Sequence, residues 1–255
     1  MDVYCLRLTF TPEVKVPLTS FSGVFAYTMA LTLLSRVDGL RAMLLHGKEE
    51  KFKPLSCSCL FVEGRRLFKG TLCPGRLYSF DLGIVGEDVA RAFLNALVEV
   101  GMDAPIKMKS GPVRVIEVSV QVIKEDELVE RARNLAKVIL GQGMWGFRFI
   151  TPCQMSKMVQ KRHRKPIFRL FPDPEYVYRN LANYWNAFSR DKIDVDRLFD
   201  YLYNKAYVRE YRLRTQVVPL GERRITVGFL GACYYEARGL DEEMAWEVAL
   251  LSKYA

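Results

Sequence analysis

The chain has 255 residues, half of them hydrophobic, and 38 Lys and Arg against 29 Asp and Glu give it a formal net charge of +9. This hydrophobic fraction excludes a disordered chain, and because no apolar run reaches 18 residues the sequence predicts no membrane-spanning helix. The basic balance favours a polyanionic partner such as a nucleic acid, although a basic enzyme with a solvated charged face has the same composition.

The first half of the sequence predicts one complete α/β unit. "VYCLRLTF" predicts an opening strand, and "PLTSFSGVFAYTMALTLLSR" predicts a mostly buried helix with start signals at Pro17 and Thr19–Ser22. A short helix "GLRAMLL", two strands around a turn at Glu63-Gly64, a strand "RLYSFDLGIV", a helix "GEDVARAFLNALVEVG" and a strand "VRVIEVSVQVI" follow. This β-α-β-β-α-β order is the ferredoxin-like plan with a hairpin added.

The second half predicts a looser version of the same plan. The charged run "KEDELVERARNLAKV", a linker or a helix, marks the boundary, so we predict domains at 1–125 and 126–255. A strand "MWGFRFI", a helix "DPEYVYRNLANYWNAF", a hairpin around Pro219–Glu222 and a helix "DEEMAWEVALLSKYA" follow, and no closing strand comes after the last helix. The predicted fold class is α+β, with two tandem ferredoxin-like (RRM-like) domains.

The cysteines and histidines limit the other classes of site. The six cysteines are scattered and form no Cys-x-x-Cys pair, and "MDVYCLRLTF" is not typical of a signal peptide. Reduced cysteines in a cytoplasmic protein are therefore expected. With two histidines in the whole chain and no clustered cysteines, the sequence argues against a zinc site.

The densest basic stretch is "CQMSKMVQKRHRKPIFRLF", which contains no acidic residue and has little periodicity, so it predicts an irregular loop. Such a loop would bind phosphates with release of counterions, and Phe168 and Phe171 could stack on unpaired bases. The alternative is a mobile solvated loop. Its candidate RNA-binding residues are Lys157, Lys161, Arg162, Arg164, Lys165 and Arg169.

The second hairpin contains further arginines. Arg212 and Arg214 are two residues apart, so in a strand they share a face, which suits a phosphate clamp but equally an ordinary exposed sheet face. Arg209, Arg223 and Arg224 lie in the same hairpin, and the last two complete the RNA-binding candidates.

His46 is the candidate for proton transfer. The ordinary pKa of a histidine side chain is about 6.5, and His46 follows a predicted helix whose C-terminus favours a protonated imidazole, as a general acid requires. Tyr27 is a polar interruption in an apolar helix. A lone histidine is more often structural or merely exposed, and a helical tyrosine is more often part of the core. The cations that could offset charge on a phosphate are Lys48, Lys51 and Lys53.

Several segments together resemble the CRISPR-associated endoribonucleases that process pre-crRNA, the sixth Cas protein of the RAMP superfamily, in its archaeal type. In the C-terminal half, "FRFITPCQ", "LFPDPEYVYRNLANYWNAF" and "ITVGFLGACYYEA" are similar to that family's Thr-Pro strand, Pro-led helix and Gly-Phe-x-Gly strand. In the N-terminal half, "PLTSFSGVFAYTMALTLL" and "LSCSCLF" are similar to its first helix and next strand. The order of the segments, more than any single motif, carries the resemblance.

The resemblance implies metal-independent cleavage of CRISPR repeat RNA, in which the ribose 2′-OH attacks the scissile phosphate and leaves 2′,3′-cyclic phosphate and 5′-OH ends. Many archaeal members use a Tyr, a His and a Lys at positions that match Tyr27, His46 and Lys53, with Lys51 as the fallback. DNA lacks the 2′-OH and should not be cut. As partners the resemblance allows repeat RNA, a homodimer and hand-over to an effector complex.

One departure from the family and two competing functions remain open. The family usually ends in a glycine-rich loop and a last strand, and this chain ends after "LLSKYA", which puts RNA affinity in doubt more than the Tyr27–His46 pair. A non-catalytic RNA-binding subunit of a CRISPR effector complex would share the fold. A protein-interaction module with incidental basic charge would show no salt-dependent RNA binding.

Overall fold

The structure is a computed structural model, and it describes residues 1–47, 52–100, 104–157, 167–221 and 225–255. The chain forms two compact units. The first consists of Met1–Lys124 and Pro219–Ile225, and the second of Glu125–Val218 and Thr226–Ala255. Within the described ranges, no helix combines the length and apolarity needed to cross a bilayer.

In its described residues, the first unit consists of antiparallel strands and three helices. The elements in chain order are β1 (Val3–Pro12), β2 (Val16–Leu18), α1 (Ser22–Leu34), α2 (Gly39–His46), β3 (Leu55–Cys57), β4 (Leu60–Val62), β5 (Arg65–Leu67), β6 (Gly70–Leu72), β7 (Tyr78–Val85), α3 (Glu87–Val100), β8 (Ile106–Met108) and β9 (Gly111–Ile123). Seven strands form one sheet of order β5-β4-β7-β1-β9-β8, in which β3 also pairs with β7, and β2 pairs with β6 outside this sheet.

Alternation of side chains along β1 places the core of this unit on one face of the sheet. Leu6, Leu8 and Phe10 are fully buried, and they belong to the same apolar cluster as residues of α1 and α3. On the opposite face, Arg7 binds Asp81 of β7 through two hydrogen bonds, of 2.7 and 3.0 Å. The predicted opening strand and the two long helices are therefore confirmed.

The start of α1 differs from the prediction. Pro17 lies in β2 and not in the helix, and α1 begins at Ser22. The buried Ser22 hydroxyl donates to the carbonyl oxygen of Leu67 and accepts from the backbone N–H of Leu60. These two long-range bonds fix the first turn of α1 against β4 and β5.

The described elements of the second unit are α4 (Glu125–Gln142), β10 (Met144–Cys153), β11 (Met155–Lys157), β12 (Ile167–Arg169), α5 (Pro174–Phe188), α6 (Val195–Lys205), β13 (Ala206–Pro219), β14 (Ile225–Ala237) and α7 (Glu242–Tyr254). Three of these strands form a sheet of order β10-β14-β13, and β11 pairs with β12 in a separate two-stranded sheet. Together with the first unit, this gives the predicted α+β fold of two tandem ferredoxin-like domains.

Three segments of the second unit sharpen or correct the predictions. The charged run after residue 124 is the helix α4, whose buried stripe is Leu128, Ala132, Ala136 and Ile139. The helix α6 was not predicted, and it starts at Asp194, whose carboxylate accepts from two backbone N–H groups of the first turn. The basic stretch predicted as irregular contains β11 and β12, because Met155 is buried and pairs with Arg169 in an antiparallel ladder.

The Gly-Phe-Leu-Gly segment of β14 permits close approach of the neighbouring backbone. At Gly231, which has φ +132°, an added Cβ would lie 2.0 Å from the carbonyl oxygen of Arg212 in β13. At Gly228 it would lie 2.9 Å from the carbonyl oxygen of Cys153 in β10. Both glycines are therefore required by the packing of the three-stranded sheet.

Candidate functional site

Tyr27 joins the two helices that carry the first part of the candidate site. It lies on α1, half-buried, and its hydroxyl donates a 2.8 Å hydrogen bond to the backbone carbonyl oxygen of Leu45. Leu45 is the residue before His46 in α2. The structure thus places the phenol of Tyr27 at the end of α2, beside the backbone of His46.

The helix α2 ends at His46, as predicted. It begins with a capped first turn, in which the Asp38 carboxylate accepts from the backbone N–H of Arg41 at 2.8 Å. A helix C-terminus carries partial negative charge and stabilises a cation there. The backbone position of His46 therefore suits a protonatable group, while its side chain lies outside the described part of the structure.

The candidate lysines follow α2. Lys53 is half-buried and is separated from β3 by Pro54 alone. Lys51 and Lys48 lie outside the described residues. The choice between Lys53 and Lys51 remains a prediction from the sequence resemblance.

The surroundings of Tyr27 keep its hydroxyl protonated. Burial raises the pKa of Tyr27 above its ordinary value, and the neighbouring Cys57 of β3 raises it further. Burial also raises the pKa of the Cys57 thiol, to about 12, so that thiol is neutral as well. A neutral phenol at pH 7 is a hydrogen-bond donor and not a base.

Replacing Tyr27 by Phe should slow RNA cleavage on the order of 10²-fold, because the donor beside His46 is lost and its position relaxes. The cost in folding stability should be about 1 kcal/mol, that of one hydrogen bond. The control is Tyr201→Phe in the second unit, which removes a 2.8 Å bond of the same type, to the carbonyl of Gly239, and a 3.3 Å bond accepted from the backbone N–H of Asp241. Single-turnover cleavage and thermal melts of both variants give the comparison; equal cleavage rates in the two would contradict a role for Tyr27.

In the second unit, Arg169 is bound within the protein. Its guanidinium donates to the Asp173 carboxylate at 2.5 Å and lies over the ring of Tyr176, 4.4 Å from the centroid. The ion pair raises the pKa of Arg169. This arginine fixes β12 to the start of α5, so any phosphate contact would have to share it with Asp173.

The other candidates of the basic stretch are less well placed by the structure. Lys157 is the last residue of β11, and its side chain is outside the described part of the structure. The ring of Phe171 packs edge-on against Tyr211 of β13 at 5.2 Å, so it is engaged in an aromatic pair. The described residues do not include Lys161, Arg162, His163, Arg164 and Lys165.

Arg212 and Arg214 both lie on the strand β13, where the two-residue spacing places them on one face, and both are exposed. Arg209, on the same strand, binds the Glu236 carboxylate of β14 at 2.8 Å. Arg223 and Arg224 lie outside the described residues. Of the hairpin arginines whose side chains are described, Arg212 and Arg214 therefore remain the candidates for phosphate contact.

One exposed basic residue, Arg148, was not among the candidates predicted from the sequence. Arg148 of β10 is exposed, whereas Trp145 is buried and Phe147 and Phe149 are half-buried on the opposite face of the strand. The alternation in "MWGFRFI" carries this signal, since period 2 places Arg148 away from the aromatic residues.

The second half of the chain matches a known protein family. Residues 147–255 match the family model described as CRISPR-associated endoribonuclease Cas6. No curated protein matches the chain. The resemblance to the Cas6 family that the sequence predicted is confirmed by this match and by the shared fold.

Solved structures share the fold along nearly the whole chain. A Cas6 product complex is 22% identical with a TM-score of 0.75, covering 98% of this chain and 91% of that chain. Thermus thermophilus Cas6 is 20% identical with a TM-score of 0.65, covering 98% and 88%. A Cas6-related protein from Pyrococcus furiosus is 10% identical with a TM-score of 0.59, covering 96% and 90%.

Proposed function

We propose that this chain is a CRISPR repeat RNA endoribonuclease that matures crRNA without a metal ion. The observation that carries the proposal is the hydrogen bond from Tyr27 to Leu45, since it joins the phenol to the end of α2 at His46. The Cas6 family match of residues 147–255 supports the same reaction class. The solved neighbours include Cas6 structures named as product and substrate mimic complexes.

The proposed reaction is an in-line transesterification at one phosphate. The ribose 2′-oxygen loses its proton and forms a bond to phosphorus, while the bond from phosphorus to the 5′-oxygen breaks. The 5′-oxygen gains a proton and leaves as a hydroxyl, and the upstream fragment ends in a 2′,3′-cyclic phosphate. No cofactor is required, because the nucleophile belongs to the RNA.

Three side chains of the first unit would act on these atoms. His46 would protonate the 5′-oxygen as general acid or accept the 2′-OH proton as general base. Tyr27 is neutral and its one hydroxyl proton is donated to the carbonyl oxygen of Leu45, so its oxygen would orient the 2′-OH by accepting a hydrogen bond from it. Lys53, or Lys51, would stabilise the charge on the phosphorane oxygens.

We assign the chemistry to the domain 1–125 and further phosphate contacts to the basic loop and the hairpin of the domain 126–255. Arg212 and Arg214 supply exposed guanidinium groups for phosphates, and such contacts predict affinity that falls as salt rises. Binding of this kind alone would also suit a non-catalytic subunit of an effector complex, so the test must measure cleavage.

A single 2′-deoxy substitution in the RNA tests the proposed nucleophile. The cut position is first mapped on a labelled cognate repeat RNA, and the nucleotide 5′ to that phosphate is then replaced by its deoxy form. The substituted RNA should bind with unchanged affinity and remain uncut, because the attacking oxygen is absent. Continued cutting at the same phosphate would exclude the proposed chemistry, and binding without cutting of the unmodified RNA would favour the non-catalytic subunit.

A further inference from the structure

A groove of mixed character lies along α1 on a face adjacent to that of Tyr27. Its lining includes the apolar residues Leu18, Val24, Phe25 and Met108. Lys107, Lys109 and several hydroxyl-bearing residues, among them Thr28 and Thr32, complete the lining. No carboxylate is among these described lining residues. Apolar, basic and hydroxyl-bearing residues around one groove suit a nucleotide, which has a flat base and an anionic phosphate.

The lysines of the groove are on the tight β8–β9 hairpin. Lys107 and Lys109 are exposed, and neither is ion-paired within the part of the chain that the structure describes. Glu13 lies beside this hairpin, since its backbone N–H donates to the carbonyl oxygen of Pro112 at 3.0 Å. Its carboxylate is bound by Arg114 at 2.6 Å.

The hydroxyl groups of Thr28 and Thr32 both donate to backbone carbonyl oxygens of α1. Thr28 donates to the carbonyl oxygen of Val24, and Thr32 donates to that of Thr28, each at 2.8 Å. With their protons committed to the helix, both oxygens retain lone pairs and serve the groove as acceptors. Acceptors of this kind suit base N–H groups or a ribose 2′-OH and add no negative charge.

We propose that this groove holds a nucleotide of the substrate RNA that flanks the cut phosphate, with its phosphate on Lys107 and Lys109. The proposal rests on the proposed endoribonuclease function and adds a binding site to it. Thr28 follows Tyr27 directly, so the groove face lies about 100° around α1 from the phenol. An α-helix with its side chains is about 10 Å across, so one strand crossing α1 contacts both places within a few nucleotides.

The test is RNA binding by the double variant Lys107→Ala/Lys109→Ala at several salt concentrations. We expect Kd for the labelled repeat RNA to rise about 10-fold and the slope of log K against log salt to become shallower by about 1.4, from two phosphate contacts at about 0.7 each. Thr28→Trp, at an exposed helical position, should fill the groove and weaken binding with the slope unchanged. Thermal melts confirm that each variant is folded.

The control is Arg133→Ala/Lys137→Ala, which removes the same formal charge from exposed positions of α4 in the second unit. An equal loss of affinity in the control would assign the effect to net charge and overturn the proposal, as would an unchanged Kd in the Lys107/Lys109 variant. If the unaltered protein cuts the RNA and the Lys107/Lys109 and Thr28 variants bind it equally well, the groove proposal is refuted and the proposed function is not. If the unaltered protein does not bind the RNA, both the groove proposal and the proposed function are refuted.

Discussion

Replacing His46 by Ala should lower the single-turnover rate of repeat RNA cleavage by about 10²-fold to 10⁴-fold, the range for loss of a general acid or base. Affinity for the RNA should stay within about twofold, because His46 sits at the end of α2 and supplies a proton-transfer group. The backbone of α2 should be unaffected, since its first turn is capped by Asp38 and its length is set by backbone bonds.

The control for His46 is the pH dependence of the rate, compared with the rate of His46→Gln. The unaltered protein should cut at a rate that changes with pH across the range in which histidine side chains ordinarily titrate. The Gln variant, which keeps a polar side chain without a titratable nitrogen, should be slow and lose that change. A Gln variant that cuts at the normal rate would remove His46 from the chemistry.

Replacing Gly231 by Ala should destabilise the second unit by about 3 kcal/mol or more, through a steric clash and strain at a positive φ. The added Cβ would lie 2.0 Å from the Arg212 carbonyl, and backbone on both sides is held in the sheet. The melting temperature of the second unit should fall by about 10 °C. Circular dichroism during a thermal ramp measures it.

The variant Gly239→Ala separates the effect of backbone strain at a positive φ from the effect of a steric clash. Gly239 also has a positive φ, +66°, but nothing lies within 4 Å of its added Cβ. It should cost about 1 kcal/mol, the ordinary penalty of a side chain in the left-handed region. Equal melting temperatures for Gly231→Ala and Gly239→Ala would show that the close approach of β13 to Gly231 adds no cost beyond that of a positive φ.

The elements that the sequence predicted well are those with a strong period. The β1 strand follows period 2, and α3 has acidic residues in its first turn and a clear apolar stripe, so their local pattern and their burial agree. The β9 strand also alternates in sequence, but Val120 and Val122 in its second half are exposed. The helix α6 was missed, because its Asp194 cap and its two buried leucines, Leu198 and Leu202, lie in a short polar stretch. The β11–β12 pair was not predicted, because the sequence of each strand does not indicate the strand with which it pairs.

The candidate site could be predicted only in its residue types. Helical periodicity indicated that His46 would end a helix, and the resemblance supplied Tyr27. That the hydroxyl of Tyr27 reaches the carbonyl of Leu45 depends on how α1 packs on α2, which no local pattern contains. Likewise, the sequence predicted Arg169 to be part of a free basic surface, but its guanidinium is bound by Asp173 and lies over the ring of Tyr176. The groove beside α1 is lined by two parts of the chain, residues 17–32 and 107–110, that lie far apart in the sequence.

The most direct test of the endoribonuclease assignment is cleavage of a labelled cognate repeat RNA by the unaltered protein in excess EDTA, with the chemistry of both new ends determined by mass spectrometry. We expect cutting at one phosphate at a rate unchanged by the chelator, with a 2′,3′-cyclic phosphate on the upstream fragment and a 5′-hydroxyl on the downstream one. Loss of cutting in EDTA, or a 3′-hydroxyl with a 5′-phosphate, would contradict the assignment.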